Sequence, residues 1–250
     1  MYPWITIGPV IIPTFFIVNT LVAALAFTWT MSRAEVNKSN LKFVADLTLV
    51  LMVSGLVGAR LFHVFYENFD YYKMHPQNIL FLWEGGFTFY GGFIFAIIGG
   101  ILFARFSQQN PRDYFDLYAP VLSLSYALGR IGCFLNGCCY GKVCDFPWAV
   151  AGKHPTQLYS TIWEAGVLFI LLGMEKRKNR PAGLIFALWL ILHSVGRFLV
   201  ELLRDDFRGP SWLISVSSWI SLLLFTIGVF WLLKISFYKK LKRSNANDAG

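Results

Sequence analysis

Charged residues are scarce in this chain, and their scarcity excludes a water-soluble domain. Of its 250 residues only 14% are charged, whereas 56% are hydrophobic and 18% are aromatic, and the mean hydropathy is +0.54. Soluble domains carry about 25% charged residues. The sequence also lacks internal repeats, low-complexity tracts and a cleavable signal peptide, so we expect its first apolar segment to stay in the mature protein. The composition is that of a membrane protein with several spans.

The sequence contains many long apolar runs. A helix needs about 20 mostly apolar residues to cross a hydrocarbon core of about 30 Å. The predicted fold is therefore all-α, with seven transmembrane helices in a single membrane domain over residues 1–238 and a basic cytoplasmic tail over residues 239–250. The seven predicted spans are residues 10–31, 43–66, 87–106, 114–134, 157–174, 182–203 and 212–234.

The basic residues are distributed unevenly between alternate loops. Fourteen Lys and Arg residues lie in the first, third and fifth connections and the C-terminal tail, and five lie on the opposite side. By the positive-inside rule, the N-terminus is predicted outside and the C-terminus in the cytoplasm. The net charge of +8 then reflects topology and attraction to anionic lipids, and we expect no nucleic-acid partner. The fourth span runs outward, so its end faces the extracytoplasmic side.

Three arginines, Arg60, Arg130 and Arg197, lie inside predicted spans. Each of them alone is equally well explained as a paired or snorkelling side chain, as when Arg197 meets Glu201 one turn later. Together they suggest more, because spans two, four and six run in the same direction and can hold all three at similar depth. Arginine binds phosphate in a bidentate manner and keeps its charge when partly buried. A lipid head group is the anion found at that depth.

Five motifs occur in order along the chain. They are GARLFHVFY (58–66), WEGGFTFYGG (83–92), GRIGCFLNGCCYG (129–141), HPTQLY (154–159) and GRFLVELLR (196–204). Through these motifs the chain resembles the prolipoprotein diacylglyceryl transferases over nearly its whole length. The resemblance implies a seven-helix inner-membrane enzyme that moves a diacylglyceryl group from phosphatidylglycerol to the thiol of a lipobox cysteine in a preprolipoprotein, releasing glycerol phosphate.

The resemblance and the chemistry of the reaction together suggest roles for individual residues. Arg130 and Arg197 would clamp the lipid phosphate and stabilise charge on the leaving group. Glu201 would orient Arg197, and Asn136 would donate a hydrogen bond to the lipid. The predicted catalytic residues are Arg130, Arg197, Tyr90, Glu201, Cys133 and His154, and the predicted substrate-binding residues are Arg60, Asn136, Gly91, Gly92, Gly141, Gln157 and Arg204. Helix packing through small residues is an equally weighted explanation of the glycines.

The chain also departs from the family pattern. Tyr90 stands where the family usually has histidine, and tyrosine, with an ordinary pKa near 10, is a weak base at neutral pH but a good hydrogen-bond donor. Cys133 and Cys138 stand where the family has asparagine and glutamate. The anion-binding residues are kept and the polar residues around the nucleophile are changed. This indicates a divergent member, with the thiol of a lipobox cysteine or another extracytoplasmic group as acceptor.

The four cysteines, Cys133, Cys138, Cys139 and Cys144, admit several explanations. They lack the paired C-x2-C spacing of a zinc ribbon, and no resident metal or cofactor is predicted. A disulfide of Cys138 or Cys139 with Cys144, buried free thiols, and a nucleophilic Cys133 thiolate activated by Arg130 all stay open. His154 could act as a base or a metal ligand, although a hydrogen-bonding role is favoured.

The sequence therefore predicts a multi-pass enzyme of the cell's inner membrane with its site toward the extracytoplasmic leaflet. Its partners would be a phospholipid donor and a preprolipoprotein or another membrane-associated acceptor. Two other classes remain as alternatives, a thiol-redox or metal-binding membrane protein and a noncatalytic lipid-binding relative. His63 and His193 lie on apolar helices, where a hydrogen-bonded packing histidine is expected.

Overall fold

The structure is a computed structural model, and it describes residues 3–8, 10–82, 85–110, 112–177, 180–205 and 214–247. These residues form two short strands and eight α-helices, with a π-helical turn at His63–Glu67 and a 3-10 turn at Pro76–Leu80. In chain order they are β1 (Trp4–Ile7), β2 (Val10–Pro13), α1 (Thr14–Val36), α2 (Leu41–Phe62), α3 (Phe69–Met74), α4 (Phe89–Phe106), α5 (Arg112–Asn136), α6 (Thr156–Glu175), α7 (Leu184–Leu202) and α8 (Val216–Asn247).

Six helical segments are long and apolar enough to cross a membrane, which confirms a polytopic membrane protein. The predicted span over residues 87–106 corresponds to α4, whose apolar stretch Gly91–Phe106 is shorter than the other six. A total of seven spans, and the orientation of the termini, stay predictions. The six long segments are Thr14–Val36, Leu41–Glu67, Tyr114–Asn136, Thr156–Glu175, Leu184–Leu202 and Val216–Phe237.

Over the described residues the structure is all-α apart from one short hairpin at the start of the chain, which corrects the beginning of the first predicted span. Residues 10–13, assigned to the first span from hydropathy, form strand β2, which pairs antiparallel with β1 from Trp4↔Pro13 to Ile7↔Val10. Isoleucine, valine and threonine make up six of the eight strand residues, and β-branched side chains favour extended backbone. Gly8, with φ of +60°, lies in the turn. The first helix therefore begins at Thr14, after Pro13.

The helices form two compact units, residues 1–30 with 115–250 and residues 31–114. In the first unit α7 packs against both α6 and α8, around a core that includes Leu171, Ile185 and Leu190. Asp116 on α5 fixes the start of α7, because its carboxylate accepts hydrogen bonds of 2.9 Å from the backbone N–H groups of Gly183 and Phe186. A carboxylate there also interacts favourably with the helix dipole.

In the second unit α2 and α4 pack through small residues. A Cβ atom added at Gly91 would overlap Phe62 Cβ and the carbonyl oxygen of Gly58, and one added at Gly92 would lie 3.0 Å from the carbonyl oxygen of Gly55. The two backbones approach this closely only because these positions lack side chains. The packing explanation of Gly91 and Gly92 thus has direct geometric support, and their predicted role in substrate binding stays a prediction.

Candidate functional site

The loop after α5 folds back over the last turn of that helix. Helix α5 ends at Asn136, and Gly137 and Cys139 then adopt left-handed conformations, with φ of +76° and +66°. A non-glycine residue in this region stores about 1–3 kcal/mol of strain, which the surroundings must hold in place. The turn brings Cys138 back over the helix end, where its backbone N–H donates to the carbonyl oxygen of Cys133 at 3.1 Å.

The first turn of α6 holds this loop. Thr156 Oγ1 donates a 2.6 Å hydrogen bond to the carbonyl oxygen of Cys139, and Gln157 Nε2 donates to that of Cys138. Both side chains are 1% exposed. The buried Oε1 of Gln157 has no hydrogen-bond partner among the residues that the structure describes. Gln157 therefore lies in the loop's framework and retains one free acceptor.

Gly141 connects the loop to the end of α7. Its N–H donates to the carbonyl oxygen of His154 at 2.9 Å, and it forms an antiparallel bridge with Arg204. A Cβ atom at Gly141 would lie 2.5 Å from the carbonyl oxygen of Leu203 and 2.8 Å from Thr156 Cγ2. Only glycine fits here. The close approach of the loop to the end of α7 places Arg204 next to the loop.

Arg130, Arg197 and Arg204 form a cluster in which each guanidinium repels the other two electrostatically. Arg197 Nη1 lies 3.0 Å from Glu201 Oε2, but its N–H groups are not directed at that oxygen. This buried atom therefore has no hydrogen-bond partner in the described part of the chain. Arg130 Nη2 donates to the Tyr126 hydroxyl at 2.9 Å. The cluster has the charge and the donors to bind an anion, since buried positive charge needs compensation.

A second buried network lies beside the arginines and was not predicted as functional. His193 Nδ1 lies 2.5 Å from Glu164 Oε1, and Ser123 Oγ donates to Glu164 Oε2 at 2.8 Å. The His193 ring packs edge-on against Tyr126, with centroids 4.8 Å apart. The expectation of a hydrogen-bonded histidine is confirmed, but its partner is a carboxylate. Glu164 inside a predicted span was the sequence signal that could have revealed this network.

The sulfur atoms of Cys133, Cys138 and Cys139 lie within 4.8 Å of one another, and all four cysteines of the chain are free thiols. Hydrogen bonds from the Cys133 and Cys138 thiols lower the pKa of the Cys139 thiol well below its ordinary value, and Arg204 and Arg130 act in the same direction. Cys144 is not part of this cluster. The spacing of the cysteines in the sequence did not predict that three of the thiols would lie together.

His154 and Asn136 lie next to this loop and make further contacts of their own. His154 Nδ1 is 3.2 Å from the Tyr159 hydroxyl, which also accepts a 2.9 Å hydrogen bond from Trp148 Nε1. This supports the hydrogen-bonding role of His154. Asn136 is the last residue of α5 and interacts with the Cys138 thiol. The side chain of Tyr90 lies outside the described residues.

Arg60, in the second unit, is 4% exposed. Its guanidinium donates hydrogen bonds to backbone carbonyl oxygens of the same chain. Nε donates to the carbonyl oxygen of Ile79 at 3.0 Å, and Nη2 to those of Asn78 at 2.6 Å and Phe81 at 3.2 Å. Nη1 donates to Gly85 and Gly86. Five N–H groups thus bind carbonyl oxygens within residues 78–81 and 85–86, and the predicted lipid contact of Arg60 stays a prediction.

Fold and site together define a multi-span helical membrane protein with a buried, positively charged cluster beside a polar loop. A family model described as prolipoprotein diacylglyceryl transferase matches residues 4–234, and the chain belongs to this family. The resemblance read from the five motifs is thereby confirmed.

Curated relatives are similar over most of their length, and they carry the name phosphatidylglycerol–prolipoprotein diacylglyceryl transferase. The protein of Bordetella avium is 35% identical over 239 residues, 89% of this chain and 90% of its own. That of Methylobacillus flagellatus is 35% identical over 236 residues, 86% and 89% of the two chains. That of Geobacter sulfurreducens is 34% identical over 199 residues, 74% and 75%.

Proposed function

We propose that this chain is a membrane transferase that moves the diacylglyceryl group of phosphatidylglycerol to the thiol of a lipobox cysteine or another extracytoplasmic acceptor. The names of its relatives support this activity. The observation that carries it for this chain is the arginine cluster, in which the buried Arg197 Nη1 has no hydrogen-bond partner among the described residues and lies beside two further guanidinium groups. A phosphate is the ligand that such a cluster recognises.

The positive charge of the cluster supports a phosphate. Arg130, Arg197 and Arg204 each carry a positive charge, and Glu201 Oε2 lies 3.0 Å from Arg197 Nη1. The phosphodiester of the donor carries one negative charge, and the released glycerol phosphate carries two. Fixed cations favour the product-like transition state over the ground state because negative charge grows on the leaving oxygen. The free Oε1 of Gln157 is available to accept a hydrogen bond from a head-group hydroxyl.

The reaction then proceeds by direct displacement. The acceptor thiol gives its proton to water, and its sulfur forms a bond to the glyceryl carbon while the bond from that carbon to the phosphate oxygen breaks. Glycerol phosphate leaves with the electron pair of that bond, against the arginines. Glu201 holds Arg197 on one side, and Ser215 Oγ holds the other carboxylate oxygen of Glu201 at 2.6 Å. Tyr90 and His154 remain candidate hydrogen-bond donors to the reacting groups.

We place the site in the extracytoplasmic leaflet of the inner membrane, with the N-terminus outside and residues 239–250 in the cytoplasm. The support for this orientation is the excess of basic residues in alternate loops. A reporter fused after Lys239 should report the cytoplasm, and one inserted near Asp145 the opposite side. The reverse pattern would overturn the orientation.

The activity is tested with purified protein, labelled phosphatidylglycerol and a lipobox peptide in mixed micelles. We expect transfer of label to the peptide together with equimolar glycerol phosphate. A peptide with serine in place of the cysteine is the matched control and should accept no label. Tight binding of phosphatidylglycerol without transfer to any thiol would support instead a noncatalytic lipid-binding relative.

A further inference from the structure

The Cys133, Cys138 and Cys139 thiols, which we call the thiol triad, are not used by the displacement just described. Cys133 lies in the last turn of α5, and Cys138 and Cys139 lie in the loop that folds back over it. The sulfur atoms of Cys138 and Cys139 are 3.6 Å apart, and all three lie within 4.8 Å of one another. These separations exceed the disulfide bond length of about 2.05 Å.

The triangle of sulfur atoms has the size of a metal-binding site. The centre of an equilateral triangle lies at its side divided by √3, so sides of 3.6 to 4.8 Å put each sulfur roughly 2.1 to 2.8 Å from the centre. The bond between zinc and a thiolate sulfur is about 2.3 Å long. One ion therefore fits between the three sulfur atoms with little movement of the backbone.

The triad is held by buried groups outside itself. Thr156 and Gln157, both buried, bind the carbonyl oxygens of Cys139 and Cys138, and Cys139 is held in a left-handed conformation. Contacts of this kind around a metal site orient its ligands and tune their affinity. A disulfide would use two of the sulfur atoms and leave the third without a function, whereas a metal ion uses all three.

The neighbouring charges match a thiolate site. Three thiolates and one Zn²⁺ ion carry a net charge of −1, and Arg130 and Arg204 both interact electrostatically with Cys139. Arg130 also precedes Cys133 by three residues on α5, so the two side chains lie on the same face of the helix. Soft thiolate ligands select zinc over the hard cations magnesium and calcium.

The geometry points to a zinc site formed by Cys133, Cys138 and Cys139, with the fourth position of the ion taken by the thiol of the acceptor. The binding of the acceptor thiol to the ion rests on the proposed function. Catalytic zinc sites have three protein ligands and one open position, and a thiol that binds zinc is deprotonated. The acceptor thiol gives its proton to water on binding. Its sulfur then attacks the glyceryl carbon, the carbon–oxygen bond to the phosphate breaks, and the glycerol phosphate leaves with that electron pair.

Metal binding is tested first on the wild-type protein, which avoids any question of variant folding. The reduced, metal-free protein is titrated with Zn²⁺ and then alkylated, and the modified cysteines are identified by mass spectrometry. We expect one ion per chain, protection of the three triad cysteines and continued alkylation of Cys144. Titration with Co²⁺ should give sulfur-to-cobalt charge-transfer absorption. Alkylation of all four cysteines at saturating Zn²⁺, or a disulfide within the triad in protein isolated without reductant, would overturn the site.

Variants assign the ligands. Cys138→Ser and Cys139→Ser should weaken Zn²⁺ binding on the order of a hundredfold or more, and Cys144→Ser, the matched control, should leave it unchanged. Thermal unfolding in the same micelles identifies a variant that has failed to fold. For such a variant, the alkylation pattern of the wild-type protein decides whether the triad cysteines bind Zn²⁺. Equal affinity of Cys138→Ser and wild type would contradict the assignment.

The role in transfer has its own measurement. Removal of zinc should abolish lipid transfer to the peptide thiol, and added Zn²⁺ should restore it, while the affinity for phosphatidylglycerol stays unchanged. Transfer that persists in metal-free protein would overturn the role of the ion and leave the proposed function standing. Zinc bound at the triad without any transfer would support the site, contradict its role in transfer and count against the proposed function.

Discussion

Glu164 on α6 and His193 on α7 form a buried pair, with Oε1 of the carboxylate 2.5 Å from Nδ1 of the ring. The other oxygen of Glu164 accepts a hydrogen bond from Ser123 Oγ on α5, so one carboxylate connects three helices. His193 lies one turn before Arg197 on α7, and Tyr126, against which its ring packs, lies one turn before Arg130 on α5. The pair thus supports the two helices that carry the arginines.

Replacing Glu164 with alanine should lower the stability of the protein. The change leaves His193 without its carboxylate partner, and an unsatisfied buried polar group costs about 1–3 kcal/mol. Ser123 Oγ keeps an acceptor, because it also donates to the backbone carbonyl oxygen of residue 164 at 2.9 Å. Glu164→Gln, which keeps a side-chain partner for His193, should cost less. Thermal unfolding in micelles measures both. Ser123→Ala is the control, since it removes the contacts of the Ser123 hydroxyl with Glu164 and leaves the Glu164–His193 pair intact. Equal unfolding temperatures for Glu164→Ala and wild type would contradict a structural role of the pair.

The helices were predictable because length and hydropathy decide what crosses a membrane. Hydropathy placed the fourth span at residues 114–134, and the helix runs over Arg112–Asn136. The strand over Val10–Pro13 was missed because its isoleucines are as apolar as any helix residue, and apolarity alone does not separate the two conformations.

The site was predictable in its residue types and only partly in its geometry. Arg130 and Arg197 stood out because charge inside a span is costly. The same signal marked Arg60, although its donors bind carbonyl oxygens, because sequence shows a charge and not its partner. The thiol triad depends on a left-handed turn at Cys139 and on hydrogen bonds from α6, 17 and 19 residues away in sequence. No local pattern specifies such a fold-back.

Gly141→Ala should destabilise the protein more than any other glycine change in the loop region. The added Cβ would lie 2.5 Å from the carbonyl oxygen of Leu203, and overpacking of this kind costs about 1–3 kcal/mol. Gly166→Ala on α6 is the matched control, because nothing lies within 4 Å of its Cβ position. That change should be neutral or stabilise the helix by up to about 1 kcal/mol. A lower unfolding temperature for Gly166→Ala than for Gly141→Ala would contradict the close approach.

Arg60→Lys should loosen residues 78–82 and 85–86. Lysine offers three donors from one nitrogen and cannot reach the carbonyl oxygens that the planar guanidinium holds. We expect faster amide hydrogen exchange at residues 78–82 and unchanged exchange in α6. A result with protected amides and weaker phosphatidylglycerol binding would show instead that Arg60 contacts the lipid.

Arg197→Lys should reduce transfer by on the order of a hundredfold, corresponding to about 3 kcal/mol of transition-state stabilisation. The charge is kept, but a point ammonium cannot provide two parallel N–H groups to a phosphate, so the loss should fall on kcat more than on lipid affinity. Arg105→Lys, at an exposed position on α4, is the matched control and should keep full activity. Thermal unfolding of both variants shows that the fold is retained. Full activity of Arg197→Lys and Arg130→Lys would rule out a bidentate phosphate clamp, and the cluster would then act through its net charge alone.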